Sequence, residues 1–158
     1  MNILEIGSFE GMSTVFFLEF FKKSNITCVD IFDNYRELPT ENFNKIYKNF
    51  LNNTKDHSDR IQVFKDTSDN FFSFKSNKLF DIIYVDGNHH YDYVLRDAIN
   101  SFERLQDNGI IIFDDFLWNF YDDIDLNPIG AIKEFISIYF KRIKIIHIHY
   151  QIIIQKLR

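Results

Sequence analysis

The stretch NILEIGSFEGMSTVFF, residues 2–17, contains a short apolar run, a turn with two glycines and the start of a helical pattern. The run Asn2–Ile6 is typical of a buried strand. Gly7 and Gly11 give the turn the spacing E-x-G-x-x-x-G. Gly7 allows the backbone to turn sharply, and Gly11 allows a ligand or a helix to approach closely. This succession predicts the first strand–helix unit of an α/β sheet.

Apolar runs alternate with helical patterns along the rest of the chain. Further strands are predicted at residues 26–30, 61–65, 80–85 and 110–113, and helices at 12–23, 40–52 with Thr40 as N-cap, 92–106, and from the N-cap Asn127 and Pro128 onward. Asn108-Gly109 is expected to end the third helix. The tail is interpreted as two strands, 142–149 and 151–156, which must be antiparallel because the turn between them is short. The prediction is an α/β protein with a mostly parallel seven-stranded sheet, helices on both faces and a C-terminal antiparallel hairpin.

Composition limits the classes of protein that remain. The chain has 158 residues, 46% of them hydrophobic, which suits one domain with a sizeable core. The single cysteine excludes an internal disulfide and any multi-cysteine metal site, and no run approaches the ~18 apolar residues of a membrane helix. We therefore expect a cytoplasmic protein without a membrane partner. Residues 133–158 carry six basic and one acidic side chain, too weak an excess to predict nucleic-acid binding.

Each of the first five predicted strands ends at or beside an acidic residue. These residues are Glu5, Asp30, Asp66, Asp86 and the pair Asp114 and Asp115. Ligands of open parallel sheets bind at the carboxyl ends of the strands. Packing of the hydrophobic core does not require carboxylates at these positions. The acids therefore indicate a ligand site, and the alternative is a chance run in an acidic protein.

The first turn favours one ligand class over another. Phe9 occupies the position of the second glycine in the dinucleotide fingerprint G-x-G-x-x-G, which disfavours NAD or FAD and hence a nucleotide-dependent oxidoreductase. Asp30 follows Gly7 by 23 residues, where an acid can accept hydrogen bonds from both hydroxyls of a ribose. A ribose without a pyrophosphate suggests S-adenosylmethionine.

Several motifs resemble those of the class I S-adenosylmethionine-dependent methyltransferases. The motifs are LEIGSFEGMST (4–14), VD (29–30), KDTS (65–68), YVDGNHHYDYVLRD (84–97) and NGIIIFDDFLW (108–118). Within that class the chain is most similar to the methyltransferase domain 24 group and to metal-dependent O-methyltransferases that act on sugars and catechols. The resemblance implies a Rossmann-like fold and a single methyltransferase domain over residues 1–158. Family members usually carry helices before the first strand, whereas here Met1 nearly begins that strand. We therefore expect an open site, a second copy or other partner that covers it, or a shortened derivative of a longer chain.

The resemblance also implies roles for individual residues. The turn that holds the methionine end of the cofactor would consist of Glu5, Gly7, Ser8 and Gly11, the ribose would bind Asp30, and the adenine would lie near Asp66 and Thr67. Asp86 is expected to contact the cofactor as well.

A metal site is predicted from carboxylates at two neighbouring strand ends. Asp86, Asp114 and Asp115 suit a hard cation such as Mg²⁺, which prefers oxygen ligands. The alternative is that Asp114 or Asp115 caps the following loop.

The predicted reaction is methylation of an oxygen on a small hydroxylated substrate such as a sugar. A bound metal lowers the pKa of a hydroxyl, and a nearby base completes its deprotonation. His89 lies where the catechol-type relatives have a lysine base, and is expected to act with Asp86 in catalysis; alternatively it holds Asp86 or contacts the cofactor. Trp118 would contact the substrate or anchor its loop. The rival hypothesis is a non-catalytic module that keeps the fold and serves as a partner subunit.

Overall fold

A computed structural model describes residues 1–32, 43–123 and 126–158. The strands are β1 (Asn2–Ile6), β2 (Asn25–Val29), β3 (Ile61–Phe64), β4 (Phe80–Val85), β5 (Leu105–Phe113), β6 (Ile143–Ile148) and β7 (Ile152–Lys156). The helices are α1 (Met12–Phe20), α2 (Phe43–Asn53), α3 (Ser68–Ser73), α4 (Tyr91–Arg104) and α5 (Pro128–Tyr139), with a 3₁₀ helix at Lys55–Arg60. The predicted N-cap Thr40 lies outside the described residues.

All seven strands form one sheet in the order β3-β2-β1-β4-β5-β7-β6. The first five pair in parallel, and β7 pairs antiparallel with both β5 and β6. The predicted fold class is therefore confirmed. The strand order reverses at β1 and β4, which are neighbours, so the loops after these two strands flank the crevice where ligands of such sheets bind.

The sheet is covered on both faces. Successive residues of a strand face opposite sides, and the neighbours Ile3 and Leu4 accordingly belong to two different core clusters. One cluster is built with Phe17 and Leu18 of α1, and the other with Phe102 of α4. Large aromatic rings fill both layers, which accounts for much of the high aromatic content of the chain.

The end of α4 differs from the prediction. The helix ends at Arg104 and β5 begins at once at Leu105, so the expectation that Asn108-Gly109 ends the helix was wrong. Asn108 instead lies within β5 with a left-handed backbone, φ 63°, beside a register shift in the pairing with β4. The buried Lys156 of β7 donates from Nζ to the carbonyl oxygens of Phe102 and Leu105, at 2.9 and 2.8 Å. A distant strand thus satisfies the carbonyls at the end of this helix.

Helix α1 is shorter than predicted and is oriented by the sheet. It ends at Phe20 rather than residue 23, and its apolar residues Met12, Phe16 and Phe20 are exposed. The residues Phe17 and Leu18 are buried instead. Because the helix is apolar nearly all round, its sequence does not specify which face packs. Among the described residues, no helix is long and apolar enough to cross a membrane.

Candidate active site

Gly7 lies where the ends of β1 and β4 come closest. Its φ is +84°, and a Cβ atom built there would lie 1.9 Å from the carbonyl oxygen of Asp86. The amide of Asp86 donates to the carbonyl of Ile6 at 2.8 Å, which ties the two strand ends together. Only glycine fits this position, because any side chain would collide with backbone that cannot move aside.

The turn after β1 is held by a buried carboxylate. Glu5 is fully buried, and its Oε2 accepts hydrogen bonds from the hydroxyls of Ser8, at 2.7 Å, and Thr14, and from the thiol of Cys28. Burial raises the pKa of Glu5, while these hydrogen bonds oppose the rise. Within the described residues, its Oε1 has no hydrogen-bond partner. Glu5 does not line the cavity described below, so here it positions the turn from beneath.

Asp30, at the end of β2, fixes the same turn from the other side. Its Oδ2 accepts from the backbone amides of Ser8 and Phe9, each at 2.8 Å, and its Oδ1 accepts from the amide of Phe32 at 2.6 Å. These bonds hold Phe9 at a positive φ of 46°. Each carboxylate oxygen can accept more than one hydrogen bond, so Asp30 can anchor the turn and still meet hydroxyl groups of a ligand.

A cavity of about 850 Å³ opens at this edge of the sheet. This volume lies within the range typical of small-molecule and cofactor sites. The predicted cofactor residues that line it are Gly7, Ser8, Asp30, Asp66, Thr67 and Asp86.

Gly11 does not line that cavity. A Cβ atom built on Gly11 would lie 2.7 Å from Cγ2 of Thr54 and 3.1 Å from the ring of Phe50. The structure therefore shows the close approach of a helix at Gly11, while its contact with the cofactor stays a prediction.

Asp66 and Thr67 directly precede α3, a helix that the sequence did not predict. The Oδ1 of Asp66 accepts from the amide of Thr67 and from the side chain of Asn70, at 2.7 and 2.8 Å, and these bonds lower the pKa of Asp66. The hydroxyl of Thr67 caps α3 by accepting from the amide of Asn70. Both residues therefore combine a local capping role with a place on the cavity wall.

A cluster of Asp86, His89 and Asp115 lies at the ends of β4 and β5. One potential ligand atom from each side chain lies within 4.8 Å of the other two. His89 Nε2 is 2.7 Å from Oδ2 of Asp115, and the His89 ring stacks on Trp118 at 4.7 Å between centroids. Burial, together with the charges of Asp114 and Asp115, raises the pKa of Asp86 to about 8. Burial would also raise the pKa of Asp115, but the hydrogen bond and charge of His89 outweigh it and lower that pKa.

The third predicted metal ligand, Asp114, is not in this cluster. Its carboxylate accepts a hydrogen bond from the side chain of Gln151 and interacts with the hydroxyl of Tyr84. The structure thus brings His89 together with Asp86 and Asp115. The two carboxylates are oxygen ligands of the kind that Mg²⁺ prefers, and the imidazole of His89 lies beside them. Two like charges this close favour either a shared proton or a cation between them.

Asp97 was quoted in the sequence motif but given no role. This residue of α4 is 3% exposed, lines the cavity and interacts with the hydroxyl of Ser68. Burial raises its pKa to about 6. The sequence signal was an acid on the otherwise apolar or small-residue face of α4, which includes Val94, Ala98 and Ser101.

The family follows from comparison of the sequence with known protein families. The sequence model of the methyltransferase domain 24 group, described as a methyltransferase domain, matches residues 4–116. The chain belongs to this methyltransferase family. The match covers every cavity and cluster residue described above, and it confirms the predicted class I S-adenosylmethionine-dependent methyltransferase. A comparison with curated proteins found no match.

Solved structures share the fold of this methyltransferase at low sequence identity. One is an O-methyltransferase from Bacillus cereus in complex with S-adenosylhomocysteine (SAH). Its TM-score is 0.72 and its sequence identity is 16%, and the alignment covers 99% of this chain and 74% of that chain. The SAH-bound methyltransferase PaMTH1 from Podospora anserina has a TM-score of 0.65 and 18% identity, over 99% and 71%. The MycE methyltransferase of the mycinamycin biosynthetic pathway, in complex with Mg and SAH, has a TM-score of 0.71 and 18% identity, over 99% and 44%.

Proposed function

We propose that this methyltransferase transfers a methyl group from S-adenosylmethionine to a hydroxyl oxygen of a small hydroxylated substrate, such as a sugar, with the assistance of Mg²⁺. The observation that carries the proposal is the cluster of Asp86, His89 and Asp115, since two of these residues also line the cavity beside the glycine turn. A donor set for a cation and a site for the cofactor therefore adjoin at one edge of the sheet.

The cavity supports the proposed binding of S-adenosylmethionine. Ser8, Asp30 and Asp66 with Thr67 line the cavity and follow β1, β2 and β3, which are successive neighbours in the sheet. The family pattern assigns these positions to the methionine, ribose and adenine parts of the cofactor. The related fold in the Bacillus cereus and Podospora anserina proteins holds SAH, the product of methyl transfer. Asp30 would accept hydrogen bonds from the ribose while it continues to hold the backbone of the turn.

The carboxylates of the cluster support the proposed binding of a divalent cation. Asp86 and Asp115 would supply carboxylate ligands, and the related MycE structure contains Mg. A bound divalent cation would supply Lewis acidity that lowers the pKa of a substrate hydroxyl. His89 orients Asp115 through the bond at 2.7 Å. If Nε2 of His89 donates that bond, Nδ1 is left as a proton acceptor.

In the proposed reaction, an oxygen lone pair attacks the methyl carbon in line and the carbon–sulfur bond breaks. The electron pair passes to the sulfonium sulfur, which gives SAH, and the hydroxyl proton passes to Nδ1 of His89. Alignment of oxygen, methyl carbon and sulfur would supply much of the acceleration, as proximity effects reach roughly 7–11 kcal/mol.

Calorimetry with SAH tests the cofactor site first. We expect binding by the wild type, marked weakening in Asp30→Ala and no change in Asp59→Ala, an exposed acid outside the cavity. Circular dichroism of Asp30→Ala checks that loss of binding is not loss of folding. No binding by the wild type at millimolar SAH would refute the proposal.

A methyl-transfer screen over sugars and phenols tests the chemistry. We expect turnover that EDTA abolishes and added Mg²⁺ restores. Turnover that persists in EDTA and in Asp115→Ala would contradict the metal role, whereas SAH binding with no turnover on any acceptor would favour the non-catalytic alternative. The predicted cover of the site by a second copy or another protein stays a prediction, which light scattering of the purified protein tests.

A further inference from the structure

The turn between β6 and β7 lies beside the aspartate pair although more than 30 residues separate them in sequence. β5 and β7 are antiparallel, and Phe113 pairs with Ile152. Continuing this register beyond the last pair places Gln151 opposite Asp114 and Tyr150 opposite Asp115. The turn itself is tight, because the amide of His149 donates to the carbonyl of Gln151 at 2.8 Å.

Each of these two turn residues contacts one of the two aspartates. The side-chain amide of Gln151 donates to Oδ1 of Asp114, and the hydroxyl of Tyr150 interacts with the carboxylate of Asp115. β6 carries a register shift between Ile145 and His147, a few residues before the turn. Bulges of this kind often occur next to active sites, where they re-aim side chains.

Asp115 therefore receives partners from two separate parts of the chain. Asp86 and His89 lie in the loop that follows β4, and Tyr150 lies in the β6–β7 turn. Neither Tyr150 nor Gln151 lines the main cavity. Their contacts are to the carboxylates, so a role for them acts through the orientation of Asp114 and Asp115.

We propose that Tyr150 and Gln151 are positioning residues that hold Asp115, Tyr150 directly and Gln151 through the neighbouring Asp114, and thereby set the affinity of the site for a divalent cation. This inference rests on the proposed function, because the cation is part of it. Side chains that orient a metal ligand typically change metal affinity by roughly 10–100-fold when they are lost. Removal of the Tyr150 hydroxyl should therefore weaken cation binding without removing any ligand.

The test measures Mn²⁺ binding by electron paramagnetic resonance on the purified protein, with no acceptor and no turnover. We expect Tyr150→Phe to bind Mn²⁺ roughly 10–100-fold more weakly than the wild type, and Gln151→Met to be weakened in the same direction. Tyr139→Phe is the matched control, because it removes a hydroxyl that hydrogen-bonds to the exposed Glu103. SAH affinity of all three variants should equal that of the wild type, which shows that each variant is folded.

The outcomes separate this inference from the function on which it rests. Suppose that the wild type binds Mn²⁺ and that the affinities of Tyr150→Phe and Gln151→Met lie within twofold of the wild-type affinity. The positioning role is then wrong, and the metal-assisted function stands. If the wild type binds no Mn²⁺ at millimolar concentration, the metal-assisted function fails and the inference fails with it. Weakening in Tyr139→Phe equal to that in Tyr150→Phe would also overturn the inference.

Discussion

Asp97→Asn replaces a buried carboxyl by a neutral side chain of nearly the same size. The pKa of Asp97 is raised by burial from 3.8 to about 6 in the folded protein. A difference of one pKa unit corresponds to about 1.4 kcal/mol, so the ionised carboxylate would destabilise the folded protein by about 3 kcal/mol at neutral pH. The neutral amide avoids this cost and can still accept a hydrogen bond from the hydroxyl of Ser68.

The sign of the pH dependence follows from the direction of the shift. Between pH 4 and 6 the folded protein holds the Asp97 proton more tightly than the unfolded chain does. The wild type therefore loses stability from this group as the pH rises through that window, and the loss is complete above about pH 6. We expect Asp97→Asn to be more stable than the wild type by up to about 3 kcal/mol at pH 8, and this advantage to vanish near pH 4.

Urea unfolding of both proteins between pH 4 and 8, without cofactor, measures this difference. The raised pKa of Asp86 contributes equally to both proteins and cancels when the two profiles are subtracted. The exposed Asp59, replaced by asparagine, is the control and should give a difference near zero at every pH. A stability difference between Asp97→Asn and the wild type that does not change from pH 4 to 8 would refute a buried carboxyl with a raised pKa.

Three further predictions concern other parts of the fold. Lys156→Met should lower the free energy of unfolding by about 1–3 kcal/mol, because two buried carbonyls at the end of α4 lose their donor. Lys144→Met, at an exposed position, should change the free energy of unfolding little, and urea titration compares the two variants. Gly7→Ala should destabilise by about 2–5 kcal/mol and abolish SAH binding, because the methyl group meets Asp86 at a positive φ; wild-type stability in this variant would contradict the close approach. His89→Gln should slow methyl transfer by about 10²–10⁴-fold with SAH affinity unchanged, and unchanged single-turnover rates would exclude His89 as the base.

Much of the fold could be predicted because its signals are local. The strand, glycine turn and helix at residues 2–17 follow from hydrophobic period and glycine placement, and the short connection at the tail fixes an antiparallel hairpin. The end of α4 could not be predicted in this way. It depends on Lys156, which reaches the helix from β7, and on the pairing of β5 with β4 that accommodates Asn108 inside a strand. Such partners come together only when the sheet has formed.

The candidate site likewise has features that the sequence predicts and features that only the tertiary structure shows. The sequence by itself placed acids at the ends of the strands, because strand ends can be read from local pattern and parallel strands bring those ends to one edge. Only the tertiary structure decided which side chains meet. It set His89 with Asp86 and Asp115, and it placed Tyr150 against Asp115 through the register of β5 with β7. Side-chain orientation depends on packing between elements distant in sequence, and a local pattern does not contain that information.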